Sequence, residues 1–174
     1  RTGTIVARGY IANGDIEKLW HGLLGAGKDY GIKAAGLGAR DTLRFEAGLP
    51  LYGNVIAKDI TPLEGGLGFF VKLDKEDFIG KEVLVKQKQE GLKRKLVGFE
   101  MGKGIPRHGY TILKEGNPIG QVTTGYLSPT LKKNIGMALI DVEYSGLGQE
   151  IDVQIRKRVL PAKIVKKGFL KDNK

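Results

Sequence analysis

Four charged side chains crowd one short helical pattern: Arg40, Asp41, Arg44 and Glu46, set between glycine-rich breaks at Gly36 and Gly48. Arg40 and Arg44 are four residues apart and therefore share a helix face. Two guanidinium groups projecting together offer a planar, many-donor receptor for a carboxylate or a phosphate. The same charges also fit a solvated Arg/Asp/Glu lattice on a surface helix, and periodicity alone does not separate the two readings. Leu37, Leu43 and Ala47 recur near helical spacing and are expected to form the buried stripe that positions those arginines.

Other candidate chemistry is thin. The chain has two histidines and no cysteine, which excludes disulfides, thiolate metal sites and Cys nucleophiles. His21 reads as a surface residue and His108 as part of the turn Gly104-Ile-Pro-Arg-His-Gly109, so no transition-metal site is expected. Tyr52, in Leu51-Tyr-Gly53, reads either as a pocket wall or as a tyrosine closing a turn. The hydroxyls of Thr123, Thr124 and Ser128 read as turn stabilisers.

The elements around these residues differ between the two halves. Asp15 to Ala26 predicts a helix with Asp15 as N-cap and with Ile16, Leu19, Trp20, Leu23 and Leu24 on a core-facing stripe. Phe69 to Leu73 predicts a strand. Its preceding glycines, Gly65-Gly-Leu-Gly68, are no nucleotide-binding loop, because the strand follows them. Glu82 to Gln89 predicts a second amphipathic helix, stopped by Gly91. The texture changes near there, which divides the chain into residues 1–90 and 91–174. Beyond it, β-branched or alternating runs recur at 95–100, 110–114, 119–124, 135–141, 151–156 and 161–166, separated by Gly, Pro and Asn turn signals. Short strands at that spacing predict a compact antiparallel barrel or sandwich, with Gly116-Asn117 as the best hairpin turn.

At 174 residues the chain suffices for one domain or two small ones, and its formal net charge is +10. That charge favours an acidic partner: nucleic acid, an anionic surface, an acidic protein or a polyanionic small molecule. Lys and Arg thicken toward the end, but no aromatic residue alternates with them as base stacking requires, so a nucleic-acid-binding barrel is the second reading. No apolar run reaches the length needed to span a bilayer and no secretory leader opens the sequence, so no membrane association is expected.

The whole string Gly36-Leu-Gly-Ala-Arg-Asp-Thr-Leu-Arg-Phe-Glu-Ala-Gly48, followed by Leu49-Pro-Leu-Tyr-Gly53 and Ile60-Thr-Pro-Leu-Glu-Gly-Gly-Leu67, resembles the aminomethyltransferase family, the T-protein of the glycine cleavage system. Asp77-Phe-Ile-Gly-Lys-Glu-Val-Leu84, Gly120-Gln-Val-Thr-Thr-Gly-Tyr-Leu-Ser-Pro-Thr-Leu131 and Asn134-Ile-Gly-Met-Ala138 extend the likeness through residues 13–170. The family protein is longer, so the chain is similar to its C-terminal portion. A sister group linked to iron–sulfur assembly carries a cysteine near the position of Asp77 to Glu82, and this chain has none.

The resemblance implies an α+β fold, in which the C-terminal part of a folate-binding aminomethyltransferase domain (1–90) precedes a small antiparallel β-barrel or jelly-roll-like domain (91–174). It implies transfer of a methylene group from the lipoyl arm of the H-protein to tetrahydrofolate with release of ammonia, without a metal. Arg40 corresponds to the family arginine that contributes to folate binding. It is the one site residue assigned here; Arg44 is left unassigned. The alternative is a non-catalytic basic β-barrel module binding nucleic acid or an acidic protein. Two departures are expected to matter. The family's pterin-gripping glutamate has no counterpart in residues 1–10, and its catalytic aspartate lies in the N-terminal half, so these 174 residues alone are expected to lack transfer activity. The implied location is the cytoplasm, or the mitochondrial matrix in a eukaryote.

Overall fold

A computed structural model describes residues 9–170, and the pattern at residues 1–8 lies outside them. Two compact units are present, one ending at Asp41 and the other beginning at Thr42. The first holds helix α1 (Ile16–Ala26), flanked by single 3-10 turns at Asn13–Asp15 and Lys28–Tyr30. Asp15 occupies the N-cap position of α1, but its side chain makes no capping hydrogen bond. The expected core stripe is exposed: Trp20 keeps 48% of its surface and Leu23 53%. None of residues 9–41 is buried. One three-turn helix with short turns has too little mass to cover its own apolar face.

Helix α2 (Leu37–Glu46) forms where the sequence places it, with a different face inside. Leu37 and Leu43 are exposed, whereas Phe45 and Glu46 are buried. The reason lies in packing at the helix's last turn. Phe45 meets Tyr126 edge-on at 5.8 Å and Phe169 at 5.3 Å, in a cluster with Val55, Leu96, Ile135 and Met137. Aromatic contact of this kind outweighs the weaker demand of a lone leucine. Gly48 (φ 73°) then turns the chain out of the helix.

Residues 50–80 are irregular. The run expected as a strand at Phe69 is a 3-10 turn, Gly68–Phe70, with Phe69 and Phe70 exposed and stacked edge-on at 5.5 Å. A strand needs a partner for its N–H and C=O groups, and this segment pairs with none among the described residues. Helix α3 (Lys81–Glu90) extends the expected Glu82–Gln89 by one residue at each end, stops before Gly91 as expected, and buries no residue.

The remainder is an antiparallel closed barrel of six strands: β1 (Arg94–Met101), β2 (Thr111–Lys114), β3 (Asn117–Leu127), β4 (Asn134–Asp141), β5 (Glu150–Ile155) and β6 (Arg158–Val165). Around the barrel the order is β1-β4-β3-β2-β5-β6, and β6 closes on β1. Closure leaves no free edge. Phe99, Ile112, Val122, Ala138, Ile140, Val153 and Ile164 fill the interior. The β2–β3 hairpin turns at Glu115-Gly116, one residue earlier than Gly116-Asn117, because Lys114 pairs with Asn117. Both turn residues have positive φ (52° and 82°), the geometry that matches strand twist in a two-residue loop. Arg156 belongs to a turn and not to β5, since Ile155 pairs directly with Arg158.

Candidate functional site

Arg40 sits on α2 and is solvent-exposed. Its amide donates to the Gly36 carbonyl at 3.3 Å, so its backbone is set by the helix start. Arg44, one turn on, curls back: Nη1 donates to the Leu49 carbonyl at 3.1 Å and the guanidinium lies 5.8 Å from the Phe45 ring centre. Tyr52 is exposed and joins the irregular segment by one bridge to Ile56. The sequence groups these residues along the chain. The more organised polar chemistry lies elsewhere, at three ties that fasten residues 42–93 to the barrel.

Glu46 makes the first tie. Its carboxylate accepts from the Ser128 hydroxyl, from the Thr130 amide at 3.0 Å and from the Thr130 hydroxyl at 2.7 Å. The Ser128 oxygen in turn accepts from the Leu131 amide at 3.0 Å, which closes the β3–β4 loop around the carboxylate. Burial pushes the Glu46 carboxyl upward, but the three hydrogen bonds to its charged form prevail and hold it below the ordinary glutamate value. Asn54 makes the second tie, donating from Nδ2 to the Thr123 carbonyl at 2.9 Å and to Thr124 Oγ1 at 3.3 Å. His108 Nδ1 also lies 2.9 Å from the Thr123 carbonyl. A carbonyl only accepts, so Nδ1 carries the proton there.

Glu64 makes the third. Its carboxylate accepts from Arg94 Nε at 2.9 Å and from the Thr61 amide at 3.0 Å, while Thr61 Oγ1 accepts from the Glu64 amide at 3.3 Å. That exchange has the reciprocal pattern of a capping box, here around a turn, and the Thr-x-x-Glu spacing at 61–64 signals it in the sequence. Burial raises the Glu64 carboxyl and Arg94 with Thr61 lowers it further than burial lifts it, for a net downward shift. Glu46 and Asn54 have no such local signal, since their partners lie 82 and 69 residues away.

Between the second and third ties lies a polar cavity of about 470 Å³, lined by Asn54, Asp59, Arg94, His108, Thr123 and Asp141 among others. Among the described residues, no group of three or more His, Asp or Glu side chains could hold a metal ion, and no helix is long and apolar enough to cross a membrane.

The closed antiparallel barrel, with helices preceding it in the chain, defines an α+β protein. Residues 94–171 match the glycine cleavage T-protein C-terminal barrel domain family, and residues 10–75 match the GCVT N-terminal domain family. The chain is 66% identical over 165 residues to the aminomethyltransferase of Caldanaerobacter subterraneus subsp. tengcongensis, covering 94% of this chain and 44% of that one. It is 64% identical to the aminomethyltransferase of Alkaliphilus oremlandii, covering 92% of this chain and 44% of the relative. The crystal structure of the glycine cleavage system aminomethyltransferase T from Bartonella henselae superposes with a TM-score of 0.79 at 32% identity, covering 90% of this chain and 44% of that one. The barrel thus resembles the T-protein C-terminal barrel domain, and the chain as a whole is similar in sequence and structure to the aminomethyltransferases. It spans 44% of the length of these relatives.

Proposed function

We propose that this chain supplies the C-terminal portion of a tetrahydrofolate-dependent aminomethyltransferase of the glycine cleavage system. In this reading the lipoylated H-protein delivers an aminomethyl group, its methylene carbon passes to tetrahydrofolate, ammonia leaves, and no metal takes part. The single observation that carries the reading is the 66% identity to an aminomethyltransferase across 94% of this chain. The division into residues 1–90 and 91–174, a cytoplasmic or matrix location, and the need for an N-terminal portion before turnover occurs all belong to the same proposal.

Arg40 is the residue we assign to folate. The folate tail ends in carboxylates, and a guanidinium can grip one with two parallel N–H bonds. An exposed arginine on a helix is free to make that contact, and its fixed backbone limits the conformations it must surrender on binding. The net charge of +10 adds long-range attraction for an acidic carrier and for an anionic substrate alike. Titration calorimetry tests the assignment on a protein assembled from this chain and the N-terminal portion of the Caldanaerobacter relative. Arg40→Ala is expected to weaken tetrahydrofolate binding by about 1.5–3 kcal/mol, the worth of a charge-assisted hydrogen bond. An unchanged affinity removes Arg40 from the site.

A further inference from the structure

The conformation at Phe69 and Phe70 is out of keeping with the local sequence. Phe69-Phe-Val-Lys-Leu73 joins two aromatic residues to a β-branched one, the types that favour a pleated, half-buried strand. In the structure the run opens instead as the 3-10 turn Gly68–Phe70, held by two short-range bonds. The Phe70 amide donates to the Leu67 carbonyl at 2.9 Å and the Val71 amide to the Gly68 carbonyl at 3.1 Å. Phe69 keeps 82% of its surface and Phe70 74%. Phenylalanine is among the residues most often buried, and two exposed in contact form a contiguous apolar patch, the mark of an interaction surface.

A strand at this place needs a sheet edge, and this chain has none to lend. The barrel closes β6 on β1, so each of its six strands already has two neighbours. The first unit, up to Asp41, holds a helix and 3-10 turns but no strand among its described residues. A second copy is a poor partner, because it offers the same segment on a body of the same +10 charge. The remaining source is protein outside this chain. The aminomethyltransferases of Caldanaerobacter and Alkaliphilus carry more than half of their length beyond what this chain covers. The match to the GCVT N-terminal domain runs to residue 75, so the aromatic pair lies within the part of this chain that resembles that domain.

Resting on the aminomethyltransferase reading above, we propose that residues 69–73 are a docking edge for the N-terminal portion of that protein: on assembly they extend, pair backbone to backbone with one of its strands, and bury Phe69 and Phe70 against it. Extension puts Phe69, Val71 and Leu73 on one face and Phe70 and Lys72 on the other. The turn gives up two hydrogen bonds and gains a ladder in exchange. Main-chain bonds then hold the joint, and the two rings supply the apolar burial.

Hydrogen exchange read by mass spectrometry tests this on the chain alone and on the assembled protein, with ammonia release from aminomethyl-loaded H-protein measured on the same assembly. The amides of residues 69–73 are expected to exchange freely in the chain alone and to slow about a hundred-fold or more on assembly. Phe69→Ser combined with Phe70→Ser is expected to weaken association about ten-fold or more. The same variant is expected to leave the melting curve of the chain alone unchanged, because both rings are exposed in it. Exchange at residues 69–73 that stays as fast in an active assembly overturns the pairing and leaves the aminomethyltransferase reading intact. Protection in an assembly that releases no ammonia leaves the pairing intact and removes the reading of the activity. Two portions that do not associate overturn both. Protection that grows with the concentration of the chain alone makes a second copy the occupant and overturns the proposal.

Discussion

Arg94 Nε donates to Glu64 Oε1 across 2.9 Å, joining the first residue of β1 to the turn that begins at Thr61. The pair is lopsided: the Glu64 side chain is 7% exposed and that of Arg94 40%. Arg94 also donates from Nη2 to the Asp59 carbonyl at 2.8 Å, so one guanidinium closes two points of the irregular segment.

Removing Arg94 strands a buried carboxylate. Arg94→Ala is expected to destabilise the protein by about 1.5–3 kcal/mol, less than a fully buried pair because the arginine is part-solvated. A thermal melt at neutral pH checks this, with a fall of several degrees expected. Arg94→Lys, which keeps the charge but loses the fork, is expected to fall between the two.

Acid should weaken the molecule through Glu46 and Glu64. Both carboxyls sit below their ordinary value in the folded state, so the unfolded chain binds more protons as pH falls. Their stabilisation is complete above the unfolded glutamate value of about 4.3–4.5 and is lost as pH drops through the lower folded values. Urea melts between pH 7 and 3 are expected to show this decline, and Glu46→Gln to flatten part of it. A Glu46→Gln curve parallel to the parent curve contradicts the role of the carboxylate charge.

Lys167 shares that pH direction at the alkaline end, through relief of a penalty on its charged form. Burial first, and then the like charge of Lys95, hold its amine below the ordinary lysine value. The folded state thus binds fewer protons than the unfolded one, and stability should rise with pH from the folded value toward the unfolded one near 10.5. Lys167→Met is expected to stabilise the protein at neutral pH by less than about 1 kcal/mol, given solvent screening of a half-buried group, and to remove the alkaline rise. Its amine lies over Gly66, where an added Cβ would approach Nζ to 2.2 Å, so Gly66→Ala is expected to displace it.

Gly136 is where the barrel interior has no spare room. A Cβ there would meet the Phe99 ring at 2.2–2.9 Å. Gly136→Ala is expected to cost about 1–3 kcal/mol through overpacking, read as a lower midpoint in urea at unchanged slope. Gly116→Ala, at a positive φ in an open turn, is expected to cost less.

The barrel was legible in the sequence because its information is local. Runs such as Ile135–Asp141 alternate or branch at the period of a strand, and Gly, Pro and Asn mark their ends. The Arg40 helix was legible as an element for the same reason, but not in its orientation. Leu37 and Leu43 have the spacing of a buried stripe, yet the buried residues are Phe45 and Glu46, whose partners Tyr126, Ser128 and Phe169 lie far along the chain. The same limit hid Asn54, whose amide serves the Thr123 carbonyl. Phe69 and Phe70 failed as a strand because composition announces a preference for pairing without supplying a partner. Glu64 stands apart, since the Thr-x-x-Glu spacing at 61–64 makes its local partner readable from the sequence.

Ammonia release from aminomethyl-loaded H-protein, followed with and without tetrahydrofolate, tests the central claim most directly. The assembled protein is expected to release ammonia at a rate that rises and saturates with tetrahydrofolate, and Arg40→Ala to need about ten-fold or more of it, as a lost contact of 1.5 kcal/mol or above requires. Release that ignores tetrahydrofolate, or no release from a well-folded assembly, contradicts the account.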